Sequence, residues 1–150
     1  ENPWLNPYEL EMSGPFSIED LQTAIDNIEI NSGEQVDVMV CSRKVRRTLA
    51  NLFKENAVKT DNVTLDGGYK AISYNGIPIV VDENCGNDLY LLNTSHIKMY
   101  QLCDWEWLQA EDGKILRQLP GKAAYGATLV KYCEVLCDKP NALGVVRSVG

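Results

Sequence analysis

The chain has 150 residues, 45% hydrophobic and 23% charged, with 11 Gly and 6 Pro, a balance that gives one ordinary domain and excludes disordered, collagen-like and coiled-coil chains. Its 14 basic and 21 acidic side chains leave a formal charge of −7, which argues against generic phosphate-backbone binding, because that binding draws on clustered Lys and Arg. The charge is also polarised: residues 1–40 carry nine acids and no Lys or Arg, and the other 110 carry 14 bases against 12 acids.

Residues 1–16 hold three prolines and no steady period, so they read as an irregular lead-in that Trp4 and Tyr8 could pin to the surface. Ser17 then stands as an N-cap, with Asp20 as the capping-box acid and Phe16 and Leu21 as a hydrophobic staple. A helix is predicted from Ile18, with Leu21, Ile25 and Ile28 on its apolar stripe and Glu19, Asp26 and Glu29 outside it, stopping at Asn31, Ser32 and Gly33. The run from Val36 to Cys41 reads as an interior strand, and Ser42 caps a second helix that buries Val45, Leu49, Leu52 and Phe53. Its off-face residues Arg43, Lys44, Arg46, Arg47 and Lys54 are basic.

Asp66, Gly67 and Gly68 suggest a turn, and Asn75-Gly76 predicts a type I′ hairpin over 69–82. Strands follow at 89–93 and 97–102 around a Thr94-Ser95-His96 corner, then an extended stretch through Trp105, Trp107 and Leu108. A turn at Asp112-Gly113, a long strand over 127–137 and a last short strand over 142–149 complete an α+β chain with two or three helices and six or more strands.

Chemistry is sparse. His96 is beside Ser95, and adjacent residues cannot serve as base and nucleophile. Cys133 and Cys137 are four apart, about 13 Å along a strand, too far to share a metal or a disulfide. With Cys41, Cys85 and Cys103 they make an odd set without framework spacing, which reads as reduced thiols in a cytosol-made chain. The acidic loop at 82–88 fails the EF-hand register, having Asn87 where Gly is needed and Asn93 where Glu is needed. No run approaches the roughly 18 apolar residues of a membrane span, and no basic-then-apolar start marks a signal peptide. No catalytic set, cofactor or metal site is assigned. The basic helix face reads either as a solvated surface or as a partner for the acidic helix of a neighbouring copy. Trp105 and Trp107 alternate, so on a strand their rings share a side, suited to a core or subunit contact or to stacking a sugar or base.

Three stretches, DVMVCSRKVRRTLANLF, YNGIPIVVDENCGNDLYLLNTSHIKMYQL and AAYGATLVKYCEVLCDKPNALGVV, resemble in their order and spacing the major capsid proteins of tailed bacteriophages of the Hong Kong 97 type, covering about residues 17–149. The resemblance implies a mixed-sheet axial domain over 17–133 and a return strand of the peripheral domain over 134–150. The arm, extended loop and spine helix that precede this region in the family have no counterpart here, in keeping with a start at Glu1 rather than Met. It further implies a structural, non-enzymatic subunit that self-assembles into pentamers and hexamers enclosing DNA, made in a bacterial cytoplasm and ending in a virion. Partners would be other copies, with a scaffolding protein and a portal, and neither specific nucleic acid nor membrane. Inter-subunit contacts would fall on Glu19, Asp26, Glu29, Arg43, Arg46, Arg47, Trp105 and Trp107. The family's Lys-Asn-Glu crosslinking set finds no matched positions. The rival expectation is a small cytosolic enzyme or ligand-binding domain with a site near His96, Trp105 and Trp107.

Overall fold

The structure, a computed structural model, describes residues 2–58, 61–65, 68, 70–110 and 112–149. Asp66 and Gly67 of the expected turn, and Tyr69 at the head of the expected hairpin, lie outside the described residues.

Local signals are honoured where they are strongest. Helix α1 spans Ile18–Ser32: the Ser17 hydroxyl accepts the Asp20 N–H at 3.2 Å and the Asp20 carboxylate accepts the Ser17 N–H at 3.0 Å, closing the capping box. A cap of this kind contributes about 1 kcal/mol. The helix ends at Gly33, whose φ of 72° is the left-handed conformation that glycine adopts at no steric cost. Strand β2, Val38–Cys41, leads through the Ser42 cap into α2, Arg43–Glu55, where Ser42 Oγ accepts the Val45 N–H at 3.4 Å. Asn75 and Gly76 both have positive φ, 50° and 84°, and join β4, Lys70–Tyr74, to β5, Ile77–Val81, as a type I′ hairpin.

The chain divides into two compact units, Glu1–His96 with Cys137–Gly150, and Ile97–Leu136. The first is built on a seven-stranded mixed sheet. With β1 at Tyr8–Glu11, β3 at Asn62–Thr64, β6 at Leu89–Leu92 and β13 at Gly144–Arg147, the order is β1-β13-β6-β2-β5-β4-β3. The pairs β1·β13 and β2·β5 are parallel and the rest antiparallel. Both helices feed one core: Leu21, Ile25 and Ile28 of α1 and Val45, Leu49 and Phe53 of α2 join Met39, Ile79, Leu89, Leu91 and Val146 of the sheet. Each such buried side chain contributes about 1.5–3 kcal/mol relative to exposure. Val38, Val40, Tyr90 and Leu92 alternate with the core residues along their strands and are half-buried on the other face.

The second unit is one long, interrupted β-ribbon. Strands β7, Ile97–Gln101, and β12, Cys133–Cys137, pair at its base, and β8, Glu106–Trp107, and β11, Leu129–Val130, pair midway. At the tip β9, Arg117–Gln118, pairs with β10, Tyr125–Gly126.

Two expectations are corrected. Residues 1–16 are not wholly irregular: YELE alternates, with Tyr8 and Leu10 half-buried against the core and Glu9 and Glu11 exposed, and pairs with β13 as an edge strand. The long strand over 127–137 is broken at Lys131 and Tyr132, where the ribbon's pairing is interrupted. Separately, the two compact units run differently from the spans 17–133 and 134–150 that the resemblance implies. The last strand lies between β1 and β6, with Val146 fully buried in the helix-covered core, so residues from Cys137 on belong with the first unit and 97–136 form the separate one.

Gly144 sets the depth at which α1 lies over this sheet. A Cβ there would stand 2.5 Å from Ile28 Cδ1, 3.2 Å from Ile28 Cγ1 and 3.4 Å from Tyr8 Cβ. Because Ile28 is fully buried, it has no room to swing away. Gly144→Ala is therefore expected to lower stability by about 1–3 kcal/mol in denaturant unfolding, and Ile28→Val in the same chain should recover part of that loss; additive losses would dismiss the clash.

Candidate assembly surfaces

The charged faces of the two helices flank a common core. On α1, Glu19 and Asp26 are exposed and Glu29 half-buried, with Asp26 accepting a hydrogen bond from Gln22 Nε2 at 2.7 Å. On α2, Arg43 and Arg47 are exposed and Arg46 is half-buried. Arg43 already holds Glu83 at 2.8 Å, with both side chains about 70% exposed, a pair worth at most about 1 kcal/mol. Among the described residues, Glu19, Glu29, Arg46 and Arg47 take no ion-pair partner within the chain.

The ribbon presents a different surface. Of the sixteen large apolar side chains exposed among the described residues, fourteen lie within 97–136, the other two being Trp4 and Ile30. Trp107 lines a groove of about 560 Å³ with Glu106, Leu108, Gln109, Ile115, Val130 and Tyr132. Trp105 is not part of that lining. It sits in a bend before β8, with Lys131 Nζ 5.8 Å from the ring centroid, and the same Lys131 holds Asp104 at 3.2 Å. Because β8 begins only at Glu106, Trp107 alone of the two indoles lies within a regular strand. The Asp104 carboxyl is held below its ordinary range by the Trp105 N–H and then by Lys131.

His96 belongs to the first unit and is already engaged. Its Nδ1 lies 2.7 Å from Asp138 Oδ1 and its Nε2 faces Glu34 Oε1 at 3.7 Å. A ring used as a general base needs a nitrogen directed at a hydroxyl or thiol, whereas both nitrogens here meet carboxylates. Lys139 completes the cluster, reaching Glu34 at 3.2 Å and donating to the Ser32 carbonyl at 2.7 Å, a cation on the last turn of α1. Among the described residues no group of three or more His, Cys, Asp or Glu side chains could hold a metal ion. The acidic loop at 82–88 is a connector: its Glu83–Cys85 turn is capped by Asp82, which accepts the Asn84 N–H at 2.8 Å.

Two titrations follow from this geometry. The Lys139 ammonium, by hydrogen bond and then by charge, holds the Glu34 carboxyl below its ordinary value of 4.5 in the folded chain. Its stabilisation is complete above that value and is lost as pH falls through the lower folded-state value. In thermal melts between pH 6 and 3, Glu34→Gln should therefore melt below the parent at pH 6 and converge with it at the acid end; an equal gap at every pH would count against the pairing. Burial, followed by the neighbouring Cys85, pushes the Cys41 thiol up to about 11. A thiol reagent at pH 8 should modify exposed Cys133 in the native chain and reach Cys41 only on unfolding.

No protein-family model and no curated protein sequence matches the chain. Solved structures do match it in fold. The encapsulin of the holo-SrpI complex from Synechococcus elongatus PCC 7942 superposes with a TM-score of 0.67 at 18% identity, over 94% of this chain and 52% of its own. A virus-like particle from Pyrococcus furiosus gives 0.55 at 13%, over 95% of this chain and 55% of its own. A phage-related protein from Bordetella bronchiseptica RB50 gives 0.57 at 11%, over 99% and 58%. The chain thus spans a little over half the length of these solved chains. At these identities the likeness is one of fold, and the fold is the α+β, mixed-sheet arrangement of the Hong Kong 97 type.

Proposed function

We propose that the chain is part of a subunit of a self-assembling protein shell and acts by surface complementarity rather than catalysis. The observation that carries this reading is the likeness in fold, over nearly the whole chain, to an encapsulin and a virus-like particle. Two features of the chain support it. Its only histidine is held between carboxylates, and its exposed apolar side chains are concentrated on one ribbon, as an interaction surface requires.

Within shells, the order of the three sequence stretches favours a bacteriophage or prophage capsid of pentamers and hexamers enclosing DNA, made in a bacterial cytoplasm, with a scaffolding protein and a portal as further partners. The net charge of −7 suits such a lining, because an acidic inner surface does not grip packed DNA. The encapsulin likeness, with its TM-score of 0.67, favours a second reading, a protein compartment rather than a virion. Opposite charges on α1 and α2, with Glu19 and Arg47 outside any ion pair among the described residues, would set register between neighbouring copies.

Electron microscopy of the full-length product tests the proposal: closed shells or rings are expected, and discrete small oligomers that gain thermal stability from a small ligand would refute it. Shells that co-purify with nuclease-protected DNA would favour the capsid, and shells with protein contents the compartment.

A further inference from the structure

We propose that Asn75-Gly76 is a self-modifying site, at which the asparagine amide is exchanged for a carboxylate through a cyclic imide, and that the product unfastens the β4–β5 hairpin from α1. The site holds whether or not the chain builds a shell. Its first ground is the reacting pair. Asn75 is the only asparagine in the chain that a glycine follows. Ring closure brings the backbone nitrogen of the next residue onto the asparagine Cγ, and a Cβ on that residue obstructs the approach and restricts the rotation it needs. Gly76 has no Cβ, and outside its chain neighbours no atom stands within 4 Å of where one would be. Both residues are exposed, and the Gly76 N–H is engaged in no hydrogen bond among the described residues.

Water is the only co-reactant. The Gly76 nitrogen bonds to Asn75 Cγ and gives up its proton, the Cγ–Nδ2 bond breaks, and ammonia leaves with that proton. Water then opens the ring at either carbonyl. Attack at Cγ gives aspartate on an ordinary backbone. Attack at the backbone carbonyl gives isoaspartate, whose main chain runs through the former side chain.

The second ground is what the lost amide holds. Gln22 of α1 ties the helix to the hairpin: its Oε1 accepts from the Tyr74 hydroxyl at 3.0 Å and from Asn75 Nδ2 at 3.2 Å, and its Nε2 donates to Asp26 Oδ1 at 2.7 Å. A carboxylate at 75 has no proton to donate, so two acceptors would face each other. Turning the Gln22 amide over would offer Nε2 to the new carboxylate, but would set the amide oxygen against Asp26 and leave the Tyr74 hydroxyl without its acceptor. Charge acts in the same sense. Asn75 shares a cavity of about 160 Å³ with Gln22 and Glu29, and no Lys or Arg lines it. Burial and then the Asp26 carboxylate already push the Tyr74 phenol above its ordinary value. A new anion would stand with Asp26 and Glu29 around one amide. The isoaspartate product also lengthens the backbone of a two-residue turn whose length sets Tyr74 opposite Ile77.

Incubation of the full-length chain at pH 8, followed by peptide mass mapping with fragmentation, tests the reaction. Asn75 should be the first asparagine to gain the mass by which a hydroxyl exceeds an amino group, and it should appear as both aspartate and isoaspartate. If Asn75 is intact in the native chain when the same chain in urea has fully converted, or if another asparagine converts first, the site is refuted. Thermal melts read the consequence separately. Asn75→Gly keeps the positive φ and removes the side chain, so it reports the lost hydrogen bond alone. Asn75→Asp should melt below Asn75→Gly and about 3–5 °C below the parent, the shift expected in a domain of this size when a charged acceptor loses its donor. Asp26→Asn should raise the melting temperature of the Asn75→Asp chain more than it raises that of the parent. An Asn75→Asp chain that melts with the parent or with Asn75→Gly, or an equal effect of Asp26→Asn in both backgrounds, would overturn the link to α1.

Discussion

The structure depends on the insertion of the last strand into the sheet between β1 and β6. Because β13 pairs with β1 on one side and β6 on the other, the residues that complete the core come after the residues that leave it. Everything between His96 and Cys137 must depart and return through one neck. That neck is closed by the Asp138 N–H donating to the His96 carbonyl at 3.1 Å and by the His96–Asp138 side-chain contact. A forty-residue excursion with both ends fixed at one point becomes a ribbon with two strands and two open edges. Such a ribbon has too few strands to bury a face of its own, and its apolar side chains are exposed as a result.

This topology separates the sources of stability. The first unit has a conventional core under two capped helices, where close packing dominates and a single methyl at Gly144 meets Ile28. The ribbon has no buried large side chain among its described residues, and it is held mainly by backbone hydrogen bonds across it, including one between its paired segments from Leu102 N–H to the Tyr132 carbonyl at 2.9 Å. A two-stranded ribbon of this kind is marginal in water by itself. Any group that covers its apolar side chains would add to its stability, as the core does for the first unit.

Legibility in the sequence followed the range of the interactions. The Ser17–Asp20 capping box, the Ser42 cap, the helix stop at Gly33 and the Asn75-Gly76 turn act over two to four residues, and each is legible from residue types alone. Strand β1 escaped because its partner is more than 130 residues away and its four residues sit among prolines. The ribbon escaped for a related reason, since short apolar stretches read as separate strands when nothing local says which pairs with which. One local signal was available: Pro120-Gly121, with Gly121 at a φ of 72° and the Lys122 N–H donating to the Leu119 carbonyl, is the turn at the ribbon's tip. Of the candidate contact residues, the six helix charges are where amphipathic periodicity put them, at the surface or half-buried. The two indoles are exposed, but the break before Glu106 gives them different surroundings.

The opposite charges of α1 and α2 and the apolar ribbon are suited to different tasks. Exposed ion pairs contribute little to affinity, and Arg43 with Glu83 shows that such charges are partly satisfied within the chain. They do discriminate between orientations, because a wrong register sets like charges together. Apolar burial supplies strength but little direction, since it scales with area rather than angle. A subunit that must close a shell needs both: enough buried area to hold neighbours, and enough charge pattern to admit one arrangement among many. On the shell reading, the apolar area of this chain that could supply strength lies on the ribbon, and the helix faces hold the opposite charges that could supply direction. On that reading, a net charge of −7, with nine of the 21 acids and none of the 14 bases in the first forty residues, would be a pattern for choosing neighbours rather than a mere guard against nucleic acid.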